Sequence, residues 1–319
     1  MRGRHLILLI LTSLFLLFYP GDNPLAKMLA NTLYSNNLKI EKNLNNKDLI
    51  RLDKVFYLDQ SQKPAFSAQA VLLVDVDTRV ILYRENDKRR VYPASLTKII
   101  TALTAKKLFD LGEVIEVKRV IEEGRVMGLY KGEKIRIENL IYGILIHSAN
   151  DAAFALADAY GYDKFIDQMN KTAQDLGMKQ TNFTNPAGFD DPEHYSTAYD
   201  LYLASEALLD DPYLKKIVGI REITVSDEDY RIFHTLVNVN KLLGEVPGVA
   251  GIKTGYTPNA GENLISLYKT KSLGEILLIV VGSKDRFKDT EQIINWLNQG
   301  LRIYNLNWSI SQGYDTIIR

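Results

Sequence analysis

ILLIVV, residues 276–281, is an uninterrupted apolar run in a chain of 319 residues. Apolar side chains on both faces are typical of a central strand that is covered on two sides. Outward from this strand, the sequence predicts neighbouring strands at 251–256 and 263–269. Near the other end of the chain, the apolar runs 71–74 and 80–83 predict a hairpin. Together these segments predict one sheet built from both chain ends.

Helical spacing of apolar residues dominates the part of the chain between these strands. Helices are predicted over 95–108, 137–146, 151–159, 163–176 and 196–209. Two short strands at 222–225 and 231–233 follow them, and a helix over 289–304 closes the pattern. The order predicts an α+β fold with a mainly antiparallel central sheet, flanking helices and an inserted helical subdomain.

The composition excludes several classes of site. Lys plus Arg and Asp plus Glu both number 39, and this net charge of zero gives no support for a nucleic-acid partner. The absence of cysteine excludes disulfides, thiolate catalysis and cysteine-based metal sites. His5, His147 and His234 are too scattered to indicate a metal site, so none is expected.

Residues 1–21 begin with Arg2 and Arg4, continue with an apolar run over 6–18 and end on Tyr-Pro-Gly. This pattern is typical of a secretory signal. The run lacks a clear cleavage site and is shorter than the about 20 residues of a spanning helix. We therefore expect a signal peptide or, as the favoured alternative, an uncleaved N-terminal membrane anchor. The polar residues 22–65 are predicted to be a spacer.

Three short motifs indicate chemistry only as a set. Ser95-Leu96-Thr97-Lys98, at a predicted helix start, brings a hydroxyl and an amine onto one helical face. A lysine with a lowered pKa can take the proton of a serine and make it a nucleophile. Ser148-Ala149-Asn150 lies between two predicted helices, and Lys253-Thr254-Gly255 lies on a predicted strand. Each motif alone fits a helix cap or a surface strand, but their order and spacing indicate acyl transfer on Ser95.

This motif set is that of penicillin-binding proteins and serine β-lactamases, and the sequence resembles that superfamily over residues 68 to about 304. The resemblance is strongest to the low-molecular-mass, serine-type D-alanyl-D-alanine carboxypeptidases (peptidase S11 type). The segments that carry it are 93–102, 140–153, 176–201 and 248–264. It implies a β-lactamase/transpeptidase-like fold, with a catalytic domain over 66–305. Many members carry a C-terminal β domain, whereas here we expect only a tail over 306–319.

The resemblance implies four catalytic residues. Ser95 would attack the carbonyl between two D-alanines and form an acyl-enzyme, and Lys98 would accept its proton. Asn150 would hydrogen-bond Lys98 and the substrate backbone. Ser148 would relay a proton to the leaving amine.

Five substrate-binding residues are also implied. Lys253 would keep the local field positive and, with Thr254, bind the terminal carboxylate. Gly255 would let the substrate lie along the strand edge, and the backbone N–H of Tyr256, with that of the nucleophile, would form the oxyanion hole. Arg286 would lie near the carboxylate pocket. No cofactor is expected.

The implied partners are peptidoglycan stem peptides, β-lactams as covalent inhibitors and, through the N-terminal stretch, the cytoplasmic membrane. The protein is thus expected outside the cytoplasm, in the periplasm or at the cell surface. Three alternatives stay open: a D,D-endopeptidase cutting crosslinks, a serine β-lactamase, and a binder without activity. A β-lactamase of class A needs a glutamate on a loop, which 205–210 only faintly resembles. His194 is predicted to anchor a loop, and the acidic pairs 190–191 and 210–211 are predicted to be solvated turns.

Overall fold

The structure is a computed structural model that describes residues 54–270 and 274–305. Its centre is a five-stranded antiparallel sheet. The strands of this sheet are β2 (Ala70–Asp75), β3 (Ile81–Glu85), β8 (Val249–Thr257), β9 (Gly261–Thr270) and β10 (Gly274–Ser283). They lie side by side in the order β3-β2-β10-β9-β8. The predicted hairpin and the predicted sheet built from both chain ends are therefore confirmed.

Strand β10 is the middle strand, and both of its faces are covered. Leu277, Ile279 and Val281 belong to the larger core, which the helices share. The alternate residues of the strand belong to a second core, which includes Trp296 and Leu297 of the last helix. Since side chains alternate across a strand, this double covering is the reason for the unbroken apolar run.

Seven α-helices occur in the described ranges. They are α1 (Lys98–Leu108), α2 (Ile137–Tyr142), α3 (Asn150–Tyr160), α4 (Tyr162–Asp175), α5 (Ala198–Asp210), α6 (Pro212–Val218) and α7 (Arg286–Gly300). A π-helical turn, Gly143–His147, continues α2 and completes the predicted helix over 137–146. Thr197 caps α5, because its hydroxyl accepts from the N–H of Asp200.

The predicted closing helix over 289–304 was wrong at both ends. Helix α7 begins at Arg286 and ends at Gly300, and the chain continues as strand β11 (Leu301–Asn305). This strand pairs antiparallel with β1 (Lys54–Leu58), which lies inside the predicted spacer 22–65. The folded part therefore starts before residue 66. The pairing joins segments more than 200 residues apart in the chain, and local periodicity carries no sign of it.

Smaller elements also differ from the expectation. The strand predicted over 231–233 lies later, as β7 (Phe233–Val237), and pairs with β6 (Glu222–Ser226). A third pair, β4 (Val114–Glu116) and β5 (Lys134–Arg136), was not predicted. Asp211 is not a solvated turn residue, because it caps α6 and forms an ion pair with Lys106.

The predicted signal or anchor at 1–21 and the predicted tail at 306–319 lie outside the described residues. Within the ranges 54–270 and 274–305, no helix is both long enough and apolar enough to span a bilayer.

Candidate active site

A cavity of about 450 Å³ opens at the edge of the sheet, where β8 faces the helical part. Two of the nine predicted site residues, Lys98 and Lys253, lie buried below its surface, with 0% and 2% of their area exposed. The other seven line the cavity. They are Ser95, Ser148, Asn150, Thr254, Gly255, Tyr256 and Arg286. The fold thus gathers all nine around one space.

Ser95 lies on a 3₁₀ turn (Ala94–Thr97) that leads directly into α1, and Lys98 is the first residue of that helix. Residues three apart are eclipsed in a 3₁₀ turn, whereas in an α-helix they are offset. The Lys98 Nζ therefore comes within 2.9 Å of the Ser95 Oγ. The sequence predicted this contact from helical spacing, and the tighter turn is what brings the two groups so close.

The Lys98 amine has two further neighbours, and both are carbonyl oxygens. Its Nζ donates to Asn150 Oδ1 at 2.7 Å and to the backbone oxygen of Ala187 at 2.8 Å. Carbonyl oxygens can only accept hydrogen bonds. When the amine is neutral, both of its N–H groups are thus occupied, and its remaining lone pair faces the hydroxyl of Ser95.

Burial keeps this amine close to neutrality. Desolvation lowers the pKa of Lys98 from 10.5 to about 7, although the charge of Asp151 acts in the opposite direction. Burial also lowers the pKa of Lys253 well below its usual value, and the nearby cations Lys98 and Arg286 lower it further. A lysine with a pKa of about 7 is about half neutral at pH 7 and can act as a base there.

Ser148 and Lys253 form a second serine–lysine pair on the opposite wall. The Lys253 Nζ donates to Ser148 Oγ at 2.8 Å and to the backbone oxygen of Thr254 at 3.1 Å. Ser148 ends the π-helical turn in a left-handed conformation with φ of 63°. Non-glycine residues rarely adopt this conformation, and such strain is frequent at functional sites.

Asn150 is oriented by the loop formed by residues 123–133. Its Nδ2 donates to the backbone oxygen of Glu123 at 2.7 Å, and its backbone N–H donates to that of Arg125 at 2.7 Å. Because the Glu123 oxygen only accepts, the amide nitrogen must face the loop and the amide oxygen must face Lys98. The loop therefore determines which end of the Asn150 amide reaches the base.

Gly255 lets strand β8 pack directly on the nucleophile turn. A Cβ atom at this position would lie 3.0 Å from the Ser95 nitrogen and 3.1 Å from the Pro93 oxygen. The side chain of Asn263 adds to this contact, since its Nδ2 donates to the backbone oxygens of Tyr92 and Pro93. Glycine is required here by close backbone approach, in addition to any room it leaves for substrate.

Arg286 lines the cavity, as Thr254 does. Its Nη1 donates to the backbone oxygen of Gly255 at 2.8 Å, and its Nε is buried without a partner in the described structure. Arg125, on the 123–133 loop, lines the same cavity. A hydroxyl and two guanidinium groups that line the same cavity suit the binding of a carboxylate.

The turn 185–189 is a part of the site that sequence reasoning did not assign. Asn185 Oδ1 accepts from the backbone N–H groups of Ala187, Gly188 and Phe189, and this turn aims the Ala187 oxygen at the lysine. Gly188 has φ of 89°, and a Cβ there would lie 1.8 Å from the oxygen of Ala94. The Asn-Pro-x-Gly pattern was a turn signal, but a backbone carbonyl has no sequence signature of its own.

His194 anchors this turn and is not placed to act as a base. Its Nδ1 accepts from the N–H of Thr184 at 3.1 Å, so its Nε2 carries the proton and donates to the Thr97 hydroxyl at 2.8 Å. Burial lowers the pKa of His194 to about 4. Asp190 is also more than a solvated turn residue, because its carboxylate accepts from the Thr257 hydroxyl at the cavity rim.

No group of three or more His, Asp or Glu side chains in the described ranges is arranged to hold a metal ion. Residues 205–210, the weak match to a β-lactamase loop, form the end of α5 and do not line the cavity. The Glu206 carboxylate forms an ion pair with Arg79 instead. The structure therefore gives this glutamate no contact with the serine.

The fold is that of penicillin-binding proteins and DD-peptidases. It matches the Streptomyces K15 DD-transpeptidase with a TM-score of 0.68 and 26% identity, over 73% of this chain and 98% of that one. It also matches a D-alanyl-D-alanine carboxypeptidase from Mycobacterium tuberculosis H37Rv with a TM-score of 0.68 and 27% identity, over 73% and 91% of the two chains.

Within this class, the chain belongs to the D-alanyl-D-alanine carboxypeptidase family, whose model matches residues 58–285. It is 34% identical over 236 residues to the D-alanyl-D-alanine carboxypeptidase DacF of Bacillus subtilis, covering 71% of this chain and 60% of DacF. It is 32% identical over 257 residues to DacC of Escherichia coli, covering 74% of this chain and 62% of DacC. The chain thus spans about three fifths of the length of these relatives.

Proposed function

We propose that this protein is a serine D,D-carboxypeptidase, which removes the terminal D-alanine from peptidoglycan stem peptides through an acyl-enzyme on Ser95. One observation carries the proposal: the Lys98 Nζ lies 2.9 Å from Ser95 Oγ and also contacts two carbonyl oxygens, so the neutral amine, with both N–H groups occupied, directs its lone pair toward the Ser95 hydroxyl. This is the arrangement that a serine nucleophile requires. The family membership supports the choice of substrate.

In the first step, Ser95 Oγ attacks the carbonyl carbon of the penultimate residue while its proton moves to Lys98 Nζ. The backbone N–H groups of Ser95 and Tyr256 stabilise the oxyanion, and the loss of one such donor costs about 3–4 kcal/mol of barrier. The C–N bond then breaks, and the leaving amine takes the proton that Lys98 received from Ser95, relayed through the Ser148 hydroxyl. Hydrogen bonding to Lys253 holds the Ser148 hydroxyl in place for this transfer.

In the second step, water attacks the ester and gives one proton to a base, and Ser95 Oγ takes a proton as the C–O bond breaks. Lys98 can both accept the proton from water and donate a proton to Ser95 Oγ, because its pKa is about 7. The free carboxylate of the terminal residue binds between Thr254 and Arg286, with the buried Lys253 behind it. Because only the last residue of a peptide has a free carboxylate, an enzyme that must bind this group cleaves at the C-terminal end.

The same site would be acylated by β-lactams, which we propose as covalent inhibitors. We also propose that the protein acts outside the cytoplasm and that residues 1–21 are a secretory signal or keep it at the membrane. The basic start and apolar run of that segment support this location.

The proposal is tested by incubating the purified protein with a wall pentapeptide ending in D-Ala-D-Ala and measuring free D-alanine. We expect release by the natural protein and by a Ser61→Ala control, which removes the hydroxyl of an exposed residue, and none by Ser95→Ala. Fluorescent penicillin should label the first two proteins only. Absence of both release and labelling contradicts the proposal.

Two other results would replace the proposal with one of the alternatives. Cleavage of a crosslinked peptide dimer without release of D-alanine from the pentapeptide identifies an endopeptidase. Rapid loss of the penicillin label without any peptide cleavage identifies a β-lactamase.

A further inference from the structure

A buried acid–base pair lies below the 123–133 loop, and neither side chain lines the cavity. His234, on β7, is 4% exposed, and Glu133, at the end of the loop, is 5% exposed. The His234 Nε2 lies 2.7 Å from Glu133 Oε1, and its Nδ1 lies 3.1 Å from the backbone oxygen of Met127. The mechanism proposed above uses neither residue.

The neighbours of the His234 ring decide how many protons it holds. The Met127 oxygen can only accept, so Nδ1 carries a proton. A carboxylate oxygen of Glu133 also only accepts, so the contact at Nε2 needs a proton between the two atoms. The arrangement is therefore an imidazolium against a carboxylate. Loss of that proton would turn a lone pair of the His234 ring toward the Glu133 carboxylate, which is repulsive.

The charged groups that face the ring are Glu133 and Asp151, and both are acidic. Burial lowers the pKa of His234, but the hydrogen bond and charge of Glu133, with a contribution from Asp151, raise it above its usual 6.5. The stabilisation from this pair is thus complete below pH 6.5 and is lost as the pH rises through the raised pKa in the folded protein.

The pair is connected to the base through the 123–133 loop. The Asp151 carboxylate accepts from the N–H groups of Met127, Gly128 and Leu129 at 2.9–3.0 Å, beside the carbonyl that His234 holds. The same loop supplies the two carbonyl oxygens that receive both N–H contacts of Asn150. A displaced loop would therefore free the Asn150 amide to rotate away from the base.

We propose that His234 and Glu133 are positioning residues, which hold the 123–133 loop so that Asn150 presents its amide oxygen to Lys98. Alkaline deprotonation of His234 releases the loop and lowers activity. This proposal rests on the proposed function, because it concerns the same site. The rate of penicillin acylation at Ser95 and the hydrogen exchange of the loop amides test it without requiring peptide cleavage.

Glu133→Gln is the decisive variant because glutamine can replace the carboxylate with neutral groups. Its amide oxygen can accept from the Tyr130 N–H, as Glu133 Oε2 does now at 2.9 Å. Its amide nitrogen can then donate to Nε2 of a neutral His234 ring. We expect the alkaline limb of kcat/KM to move up by about one pH unit or more, because the neutral ring now fits. Activity at acid pH should fall, because an imidazolium would face an amide N–H.

Glu228→Gln is the matched control, since it removes a half-exposed carboxylate that forms an ion pair with Arg136. Its pH profile should equal that of the natural protein. His234→Gln removes the titrating group, and we expect it to lower kcat about tenfold to hundredfold with little change in KM. If the alkaline limb of kcat/KM were caused by Lys253 alone, it would stay at the same pH in every variant, which would contradict the proposal.

Two further measurements keep the test independent of peptide cleavage. The rate of penicillin acylation at Ser95 should show the same shift in Glu133→Gln. The protection of the Met127, Gly128 and Leu129 amides against hydrogen exchange, taken relative to the intrinsic rate at each pH, should fall above the His234 pKa in the natural protein but not in that variant. An unchanged alkaline limb, or loop protection that ignores pH, overturns the proposal even if the protein releases D-alanine. If the loop amides show the predicted exchange pattern but the protein releases no D-alanine, only the proposed function is contradicted.

Discussion

Lys98 has three hydrogen-bond neighbours but only two N–H groups when it is neutral. This count leaves the lone pair of the neutral amine facing Ser95, which supports the proposed role of this buried lysine as a base. Two carbonyl oxygens, from Asn150 and Ala187, occupy its N–H groups, and burial lowers its pKa to about 7. Its neighbour Lys253 cannot replace it, since that amine lies against Ser148.

The pKa of Lys98 predicts an acid limb for acylation of Ser95. The neutral amine is the active form, so the rate should fall about tenfold per pH unit below about pH 7. Lys98→Arg holds its charge at all these pH values and should acylate at least about 10³-fold more slowly. Labelling with fluorescent penicillin over pH 5–9 measures both effects. A rate that stays constant down to pH 5 would rule out Lys98 as the base.

The sequence allowed the side chains of the site to be predicted but not the backbone groups that orient them. Ser95, Lys98 and Asn150 lie in motifs with fixed spacing. By contrast, the carbonyl oxygen of Ala187 and the 123–133 loop act through main-chain atoms, which every residue type supplies. Only the three-dimensional arrangement distinguishes one backbone carbonyl from another.

Among the elements, strand β8 and the 3₁₀ turn meet without a side chain between them. Gly255→Ala would place a methyl group 3.0–3.2 Å from backbone and Cβ atoms of 93–95, which cannot yield easily. We expect penicillin acylation to slow about 100-fold, because even a 1 Å shift of the nucleophile costs that much. Gly112→Ala is the control, since nothing lies within 4 Å of its added Cβ. Equal acylation rates for the two variants would contradict this prediction.

The free energy of unfolding should depend on pH through His194, which anchors the turn at 185–189. Its pKa is about 4 in the folded protein and near 6.5 when unfolded, so the unfolded chain binds the extra proton first. Stability from this group is present above pH 6.5 and is lost as the pH falls toward 4, by about 3 kcal/mol. The free energy of unfolding, measured by urea titration between pH 4 and 7, should vary less in His194→Gln. The same slope in both proteins would show that the ring does not stay neutral.

At the scale of the whole molecule, residues from both ends of the described chain pair with each other and contribute to the core between the central sheet and α7. Strand β1 pairs with β11, and Leu58 is buried in the core that β10 shares with α7. This closure was missed in the sequence because β1 is short and its partner is distant in the chain. The central strand β10 was predicted correctly because burial on both faces requires apolar residues at every position of the run.

Trp296 tests whether this closure stabilises the fold without taking part in the site. Its ring is 2% exposed, and its Nε1 donates to the backbone oxygen of Asp59 at 2.7 Å. Trp296→Phe removes that hydrogen bond and leaves a partly empty space, so we expect unfolding to become about 1–3 kcal/mol easier. Tyr230→Phe, at a side chain that is 71% exposed, is the control and should change stability little. Neither variant should alter the rate of penicillin acylation at a temperature where it is folded, because the β1–β11 pair lies apart from the cavity lining. Slower acylation by folded Trp296→Phe would mean that the sheet transmits the loss of its outer cover to Ser95.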